Sequence, residues 1–274
     1  MPTDTGASEL EAIAIEALAS LKSRSQIATF SSRARGLPLA QAYEITPRLR
    51  AAFEARGESI VGRKIGFTNR DMWKAFGVKS PIWGYVTSGT TRNLSAGGAV
   101  AADDFAEPRI EPEIVFGLCA APAASMSDVQ LCDCIGWVAL GFEIVQSIYP
   151  GWAFAASDCV AANSLHGALL VGARHAFAPR AQQWLHELGC FEIELRCNGE
   201  LAHRGGGALV LESPFQALRH LVELLAADPG NPPLAAEEII STGTLTLAAP
   251  IRPGERWTAS ASGIPLEDVA IQVS

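Results

Sequence analysis

The sequence predicts an α+β fold, a helical N-terminal part followed by a β-rich region with mixed sheets. Three observations predict it. Apolar residues recur every three to four positions near the N-terminus; short apolar and β-branched runs replace that period after about residue 57; and those runs do not alternate with helices as a parallel doubly wound sheet requires.

Over residues 9–22, Leu10, Ile13, Ala14, Ala17, Leu18 and Leu21 form one stripe of an amphipathic helix. A second helix is expected over Leu39–Ala55, where Ile45, Leu49 and Phe53 are spaced by four and Pro47 either kinks the helix or restarts it. Arg56-Gly57-Glu58 then marks a boundary, giving a helical part at 1–57 and a β-rich domain at 58–274. The runs 60–67, 110–118, 137–145, 168–171, 191–197, 239–247, 257–260 and 269–273 read as strands. Asn198-Gly199 after 191–197 predicts a two-residue hairpin, because both central positions need positive φ. One helix interrupts the strands: Ser213 is its N-cap, Pro214 its first residue and Gln216 its capping-box partner, with the apolar stretch from Leu218 to Leu225 behind them.

Composition excludes several classes. The 274 residues carry a net charge of −8 and 49% hydrophobic residues, which suits a sizeable core and argues against a nucleic-acid partner, since sequence-independent binding needs a basic surface. No apolar run reaches the ~18 residues of a membrane span, and the start MPTDTGASELEAIAIE lacks a basic leader, so a cytoplasmic protein without membrane attachment is expected. The six cysteines are scattered through a long chain and read as buried free thiols; Cys132 and Cys134 lack the second pair a zinc site needs. The glycine-rich stretch 203–207 follows a hairpin and opens no helix, so it reads as a mobile loop and not as a dinucleotide or phosphate loop. No G-x-S-x-G elbow supports a serine hydrolase.

Charge in apolar surroundings is the chemically informative feature. Glu111 and Glu113, two apart in RIEPEIVFGL, leave the same face of a strand, and Glu143 is the one charge in the apolar run WVALGFEIV. A buried carboxylate must be paired, protonated or bound to a cation. A hard dication such as Mg²⁺ or Mn²⁺ would resolve the mutual repulsion of three carboxylates. A solvated edge strand, with Glu143 paired to an arginine, would serve equally well. Lys64 in IVGRKIGF is either a desolvated acid/base or carboxylate anchor, or a lysine snorkelling from a strand end. His166 in SLHG is the histidine to watch, with a satisfied core histidine as the bland alternative.

The blocks IVGRKIGFT (60–68), GVKSPIWGYV (77–86), PRIEPEIVFGL (108–118), FEIVQS (142–147), SDCVAANS (157–164) and EIISTGTLTLAAPIRPGERW (238–257), in this order and spacing, resemble the 2-keto-4-pentenoate hydratase and 4-oxalocrotonate decarboxylase family of the fumarylacetoacetate hydrolase superfamily. The resemblance implies a mixed β core of the fumarylacetoacetase C-terminal type, Mg²⁺ or Mn²⁺ held by Glu111, Glu113 and Glu143, Lys64 as the active-site lysine, and a homo-oligomer. It places Asp158, Asn163, Thr242 and Gly243 in blocks that line the substrate pocket, and His166 is carried with them. The substrate it implies is a small 2-oxo acid. The reaction is hydration of a 2-hydroxy-2,4-dienoate to a 4-hydroxy-2-oxo acid, or alternatively decarboxylation of a 4-oxalocrotonate-type diacid; acylpyruvate hydrolysis and a non-catalytic binding protein are the rivals. A diacid would need a further anchor, for which Arg63, Arg109 and His166 are candidates. Ile82 stands in PIWG where hydratases carry an aspartate, and Ala161-Ala162-Asn163 and SLHG also depart from the family pattern.

Overall fold

The computed structural model describes residues 5–94 and 98–274. Residues 1–4, part of the start read above for a leader, lie outside it. Helices α1 (Thr5–Ser23) and α2 (Leu39–Ala55) come first, followed by strand β1 (Ile60–Gly66), the short helix α3 (Trp73–Phe76), β2 (Ile82–Thr87), β3 (Thr91–Asn93), β4 (Ala99–Val100) and β5 (Arg109–Leu118). Next come α4 (Asp128–Cys132), β6 (Ile135–Val145), α5 (Ala156–Ala161), β7 (His166–Val171), β8 (His175–Ala176), α6 (Ala181–Cys190), β9 (Glu192–Cys197) and β10 (Glu200–Gly206). The chain ends with α7 (Pro214–Ala226), β11 (Ile239–Thr244), β12 (Ala249–Pro250), β13 (Arg256–Ser262) and β14 (Val269–Val273).

The α+β expectation with mixed sheets is met. A nine-stranded sheet has the order β2-β1-β11-β5-β6-β7-β3, with β12 joined to β5 and β8 to β6; a five-stranded sheet has the order β10-β9-β13-β14-β4. The pairs β1–β11, β3–β7 and β14–β4 are parallel, while the rest are antiparallel. Strand alternation gives the larger sheet two different faces. Ile114, Phe116, Leu140, Phe142 and Ile144 belong to the main apolar cluster, which continues without a break into Leu10, Ala17, Ile45, Leu49 and Phe53 of α1 and α2. Val115, Ala139 and Leu169 form a smaller cluster on the opposite face. Glu111 and Glu113 share that second face with Val115, at the end of the strand where apolar side chains give way to carboxylates.

Pro47 neither breaks nor restarts α2. Proline removes the amide that would bond the carbonyl four residues back. The Thr46 hydroxyl donates to that carbonyl, on Tyr43, at 2.8 Å.

Three local expectations need correction. Residues 203–206 belong to β10 and not to a mobile loop, their glycines letting the backbone lie against Leu245, where a Cβ on Gly205 would come within 1.9 Å of the carbonyl oxygen. Helix α6, with Trp184 and Leu188 buried, and the short helices α3, α4 and α5 interrupt the strands besides α7. All six cysteines are free, but Cys119 and Cys190 are exposed and Cys197 is half-buried.

Candidate active site

Four neighbouring strands bring the charged residues together. β1 and β11 pair with Lys64 opposite Ser241, β11 and β5 with Ser241 opposite Val115, and β5 and β6 with Glu111 directly opposite Glu143. Neighbouring positions on one sheet face put Cβ atoms about 4.5–5.5 Å apart, so the register alone forces the carboxylates on one another. One oxygen from each of Glu111, Glu113 and Glu143 lies within 4.8 Å of the other two. Glu113 and Glu143 are fully buried and Glu111 is half-buried.

The hydrogen bonds divide the six carboxylate oxygens into held and open ones. Glu113 Oε2 accepts from Gly243 N at 2.9 Å and from the Ser241 hydroxyl, while its Oε1 is buried with no hydrogen bond. Glu143 Oε1 lies 2.7 Å from His166 Nδ1. Its Oε2 faces Lys64 Nζ at 3.0 Å as an ion pair but accepts no hydrogen bond. Orphaned buried acceptors beside a third carboxylate are what a hard oxygen-seeking cation requires, so the three residues fit Mg²⁺ or Mn²⁺. The edge-strand alternative fails: Glu143 pairs with Lys64 and His166, not with an arginine.

Protonation reflects the crowding. Burial pushes Glu111 up to about 7, with Lys64 opposing and Glu143 reinforcing the rise. Burial, followed by the charges of Glu143 and Glu111, raises Glu113 well above the usual carboxylate range. Glu143 is also penalised by burial, but Lys64 and the His166 hydrogen bond outweigh this and hold it at about 2. Burial works to lower Lys64, yet the nearby glutamates, led by Glu143, raise it above its ordinary value. The ammonium is therefore a fixed buried charge and not a snorkelling surface lysine.

A turn of three residues with positive φ, Asn163 (53°), Ser164 (51°) and Leu165 (60°), completes the lysine's surroundings. Non-glycine residues adopt this region at a cost of roughly 1–2 kcal/mol each, so the contacts must hold them there. The Asn163 side chain accepts from Tyr85 N at 2.8 Å and donates to Tyr85 O at 2.9 Å, standing in for a strand neighbour of β2. The Ser164 hydroxyl donates to Trp83 O at 2.6 Å, and Ser164 O accepts from Lys64 Nζ at 3.2 Å. Gly84, opposite Lys64, leaves the room: a Cβ there would lie 2.7 Å from Asn163 O.

Lys64, Glu111, Glu113 and Gly243 open onto a cavity of about 310 Å³, whose other walls include Ile82, Val145, Phe154, Leu165 and Leu247. Arg109 is the cation of its wall besides Lys64; it stacks over Trp152 at 4.2 Å and donates no hydrogen bond among the described residues. The other pocket candidates sit elsewhere. Asp158 ties the N-terminal segment to α5, accepting from Ser31 N at 2.8 Å, the Ser31 hydroxyl at 2.6 Å and Ala155 N at 2.8 Å. Thr242 is spent on Ile114 O at 2.8 Å. Asn163 is spent on β2 and His166 on Glu143, so neither side chain lines the cavity. Arg63 faces away from Lys64, beside Glu238 at 3.2 Å and over Tyr85 at 4.2 Å.

Sequence reasoning missed Ser241 and Ser164. Ser241 lay within a quoted block and two residues before Gly243, so strand alternation was a signal for it. Ser164 also lay within a quoted block and opens the SLHG segment, but its role depends on its left-handed backbone, which no spacing announces.

A buried ammonium and three convergent carboxylates at the base of a largely apolar cavity are the working parts of an enzyme. No family model matches the chain. It is 30% identical over 231 residues to 4-oxalocrotonate decarboxylase of Pseudomonas sp. (strain CF600), covering 83% of each protein. It is 28% identical over 247 residues to 2-hydroxyhexa-2,4-dienoate hydratase of Comamonas testosteroni, covering 89% of this chain and 90% of the relative. The solved structure of 4-oxalocrotonate decarboxylase from Pseudomonas putida G7, complexed with magnesium and adipate, superposes with a TM-score of 0.89 at 25% identity, over 97% of this chain and 98% of that one. The chain belongs to the family of 2-keto-4-pentenoate hydratases and 4-oxalocrotonate decarboxylases, which are lyases.

Proposed function

We propose that this chain is a divalent-cation-dependent lyase of a small 2-oxo or 2-hydroxydienoic acid, with Glu111, Glu113 and Glu143 as the cation's ligands and Lys64 as the catalytic residue. The observation that carries this is the pair of buried carboxylate oxygens without a hydrogen bond, Glu113 Oε1 and Glu143 Oε2, in a cluster whose three glutamates each bring one oxygen within 4.8 Å of the others. A bound Mg²⁺ or Mn²⁺ supplies Lewis-acid stabilisation of negative charge developing on the substrate's 2-oxygen. The remaining work falls to the chain. An ammonium has three N–H donors. Lys64 donates one of them to Ser164 O and faces Glu143 Oε2 at 3.0 Å as an ion pair, leaving at least one for the substrate as an anchor or a proton source. Ile82, Val145, Phe154 and Leu165 present apolar surface to the substrate's carbon skeleton.

Hydration of a 2-hydroxy-2,4-dienoate to a 4-hydroxy-2-oxo acid is the first reading, supported by the hydratase relatives. One observation favours the second, decarboxylation of a 2-oxo diacid. Arg109 is a guanidinium on the cavity wall that donates no hydrogen bond among the described residues, in the same strand-face row as Glu111 and Glu113, and it suits a distal carboxylate. Ile82 on that wall offers no acid or base for adding water. The deciding experiment incubates the protein and Mg²⁺ with 2-hydroxypenta-2,4-dienoate and with 4-oxalocrotonate, with products identified by mass. A water adduct of the monoacid establishes the hydratase, and CO₂ release from the diacid establishes the decarboxylase. No metal-dependent turnover of either overturns the proposal and leaves acylpyruvate hydrolysis as the rival. The family resemblance also implies a homo-oligomer, whose subunit count light scattering at micromolar concentration tests.

A further inference from the structure

His166 does not face the cavity, yet it is buried against the site. Nδ1 lies 2.7 Å from Glu143 Oε1 and Nε2 lies 2.9 Å from the Thr90 hydroxyl. An ionised carboxylate only accepts, so Nδ1 is the donor in that contact. The Thr90 hydroxyl can meet Nε2 as donor or acceptor, because Thr87 O stands 3.2 Å away as its alternative acceptor. The ring is thus clamped at both ends. Its far side borders a separate cavity of about 330 Å³ that shares no wall residue with the substrate cavity.

We propose that His166 is a positioning residue that sets the cation affinity of the site through Glu143. With Oε1 held by the imidazole and the imidazole held by Thr90, rotation of the carboxylate is restrained and Oε2 stays facing Lys64 at 3.0 Å. A ligand fixed in this way loses less conformational freedom when the cation binds, and removing such a partner typically weakens metal affinity by about 10–100-fold. The inference rests on the assignment of Glu143 as a ligand.

The test counts free Mn²⁺ by electron paramagnetic resonance in titrations of the wild-type protein and of the His166→Ala, His166→Asn and Glu113→Gln variants, each first shown to be folded by circular dichroism. His166→Ala is expected to weaken Mn²⁺ binding by about 10–100-fold. His166→Asn, whose amide N–H can replace Nδ1, is expected to recover most of the loss, and in turnover assays KM for Mn²⁺ is expected to change more than kcat at saturating metal. Glu113→Gln, which tests the underlying ligand assignment, is expected to abolish binding. If Glu113→Gln abolishes binding and His166→Ala leaves affinity unchanged, the positioning role is overturned. If Glu113→Gln leaves affinity unchanged, the ligand assignment itself fails. Should His166→Ala not fold, Thr90→Val, which removes only the outer clamp, is expected to weaken Mn²⁺ binding, and an unchanged affinity in it overturns the proposal.

Discussion

At the residue scale, the decisive fact is that three acids and one base share a space too small for their charges. Lys64 and Glu143 compensate one another at 3.0 Å. Removing one member of a buried pair typically costs about 3–5 kcal/mol, because the other charge is left uncompensated. Lys64→Met is therefore expected to lower stability in urea unfolding by about that amount and to abolish turnover. Glu111 and Glu113 are uncompensated without a cation, so their folded pKa values lie above the value of 4.5 they have when free. The folded metal-free protein then binds protons that the unfolded chain has released, and stability falls as pH rises through the interval from 4.5 to about 7 for Glu111, and further for Glu113. Glu143, held at about 2, works in the opposite sense: its contribution is present above the ordinary carboxylate range and is lost as pH falls toward about 2. In chelator, Tm is expected to decline from about pH 5 to about pH 7, and saturating Mg²⁺ to reverse the decline with release of protons to the buffer. A metal-free Tm that rises over this interval would contradict the charge assignment.

At the element scale, β11 is the strand that shapes the site. It runs parallel to β1 on one side and antiparallel to β5 on the other, and its pairing with β5 shifts between Ser241 and Thr244. Gly243 stands in that shift at φ +100°, where a Cβ would fall 2.1 Å from the Thr68 hydroxyl. Only glycine can turn its amide to Glu113 there. Gly243→Ala is expected to destabilise the fold by about 1–3 kcal/mol in denaturant unfolding and to weaken Mg²⁺ binding through the lost Glu113 hydrogen bond. Elements whose geometry is encoded locally were legible in the sequence: the stripe of α1, the extent of α2, the Asn198-Gly199 hairpin and the N-cap of α7. Helix α6 was missed although Ala181, Trp184, Leu185 and Leu188 follow helical spacing, because the run is only ten residues long and sits among strands. The stretch ending β10 was misread because glycines that look like a loop serve a close approach to Leu245, which only the tertiary fold reveals.

At the scale of the whole molecule, the site is a product of sheet register. Glu111 and Glu113 could be placed on one face from their spacing, but the register that sets Glu111 opposite Glu143 is not written in either strand, and Lys64 opposite Ser241 joins strands far apart in sequence. The same long-range pairing consumes Asp158, Asn163 and His166 as internal ties, which is why their presence in pocket-forming blocks did not make them pocket walls. Arg109 is the converse case. Three arginine and histidine anchors were open in the sequence, and only the fold leaves this one on the cavity. If it holds a distal carboxylate, Arg109→Met should raise KM for a 2-oxo diacid by about 10–100-fold while leaving a monoacid nearly unaffected, which steady-state kinetics with the two substrates will show.

The most direct test of the central claim is calorimetric titration of Mn²⁺ into the metal-free wild-type protein and into a Glu111→Gln, Glu113→Gln double variant, which keeps side-chain shape and removes two charges. The account predicts one site per chain in the wild type and no measurable binding in the double variant. Equal affinity in the two proteins would contradict it.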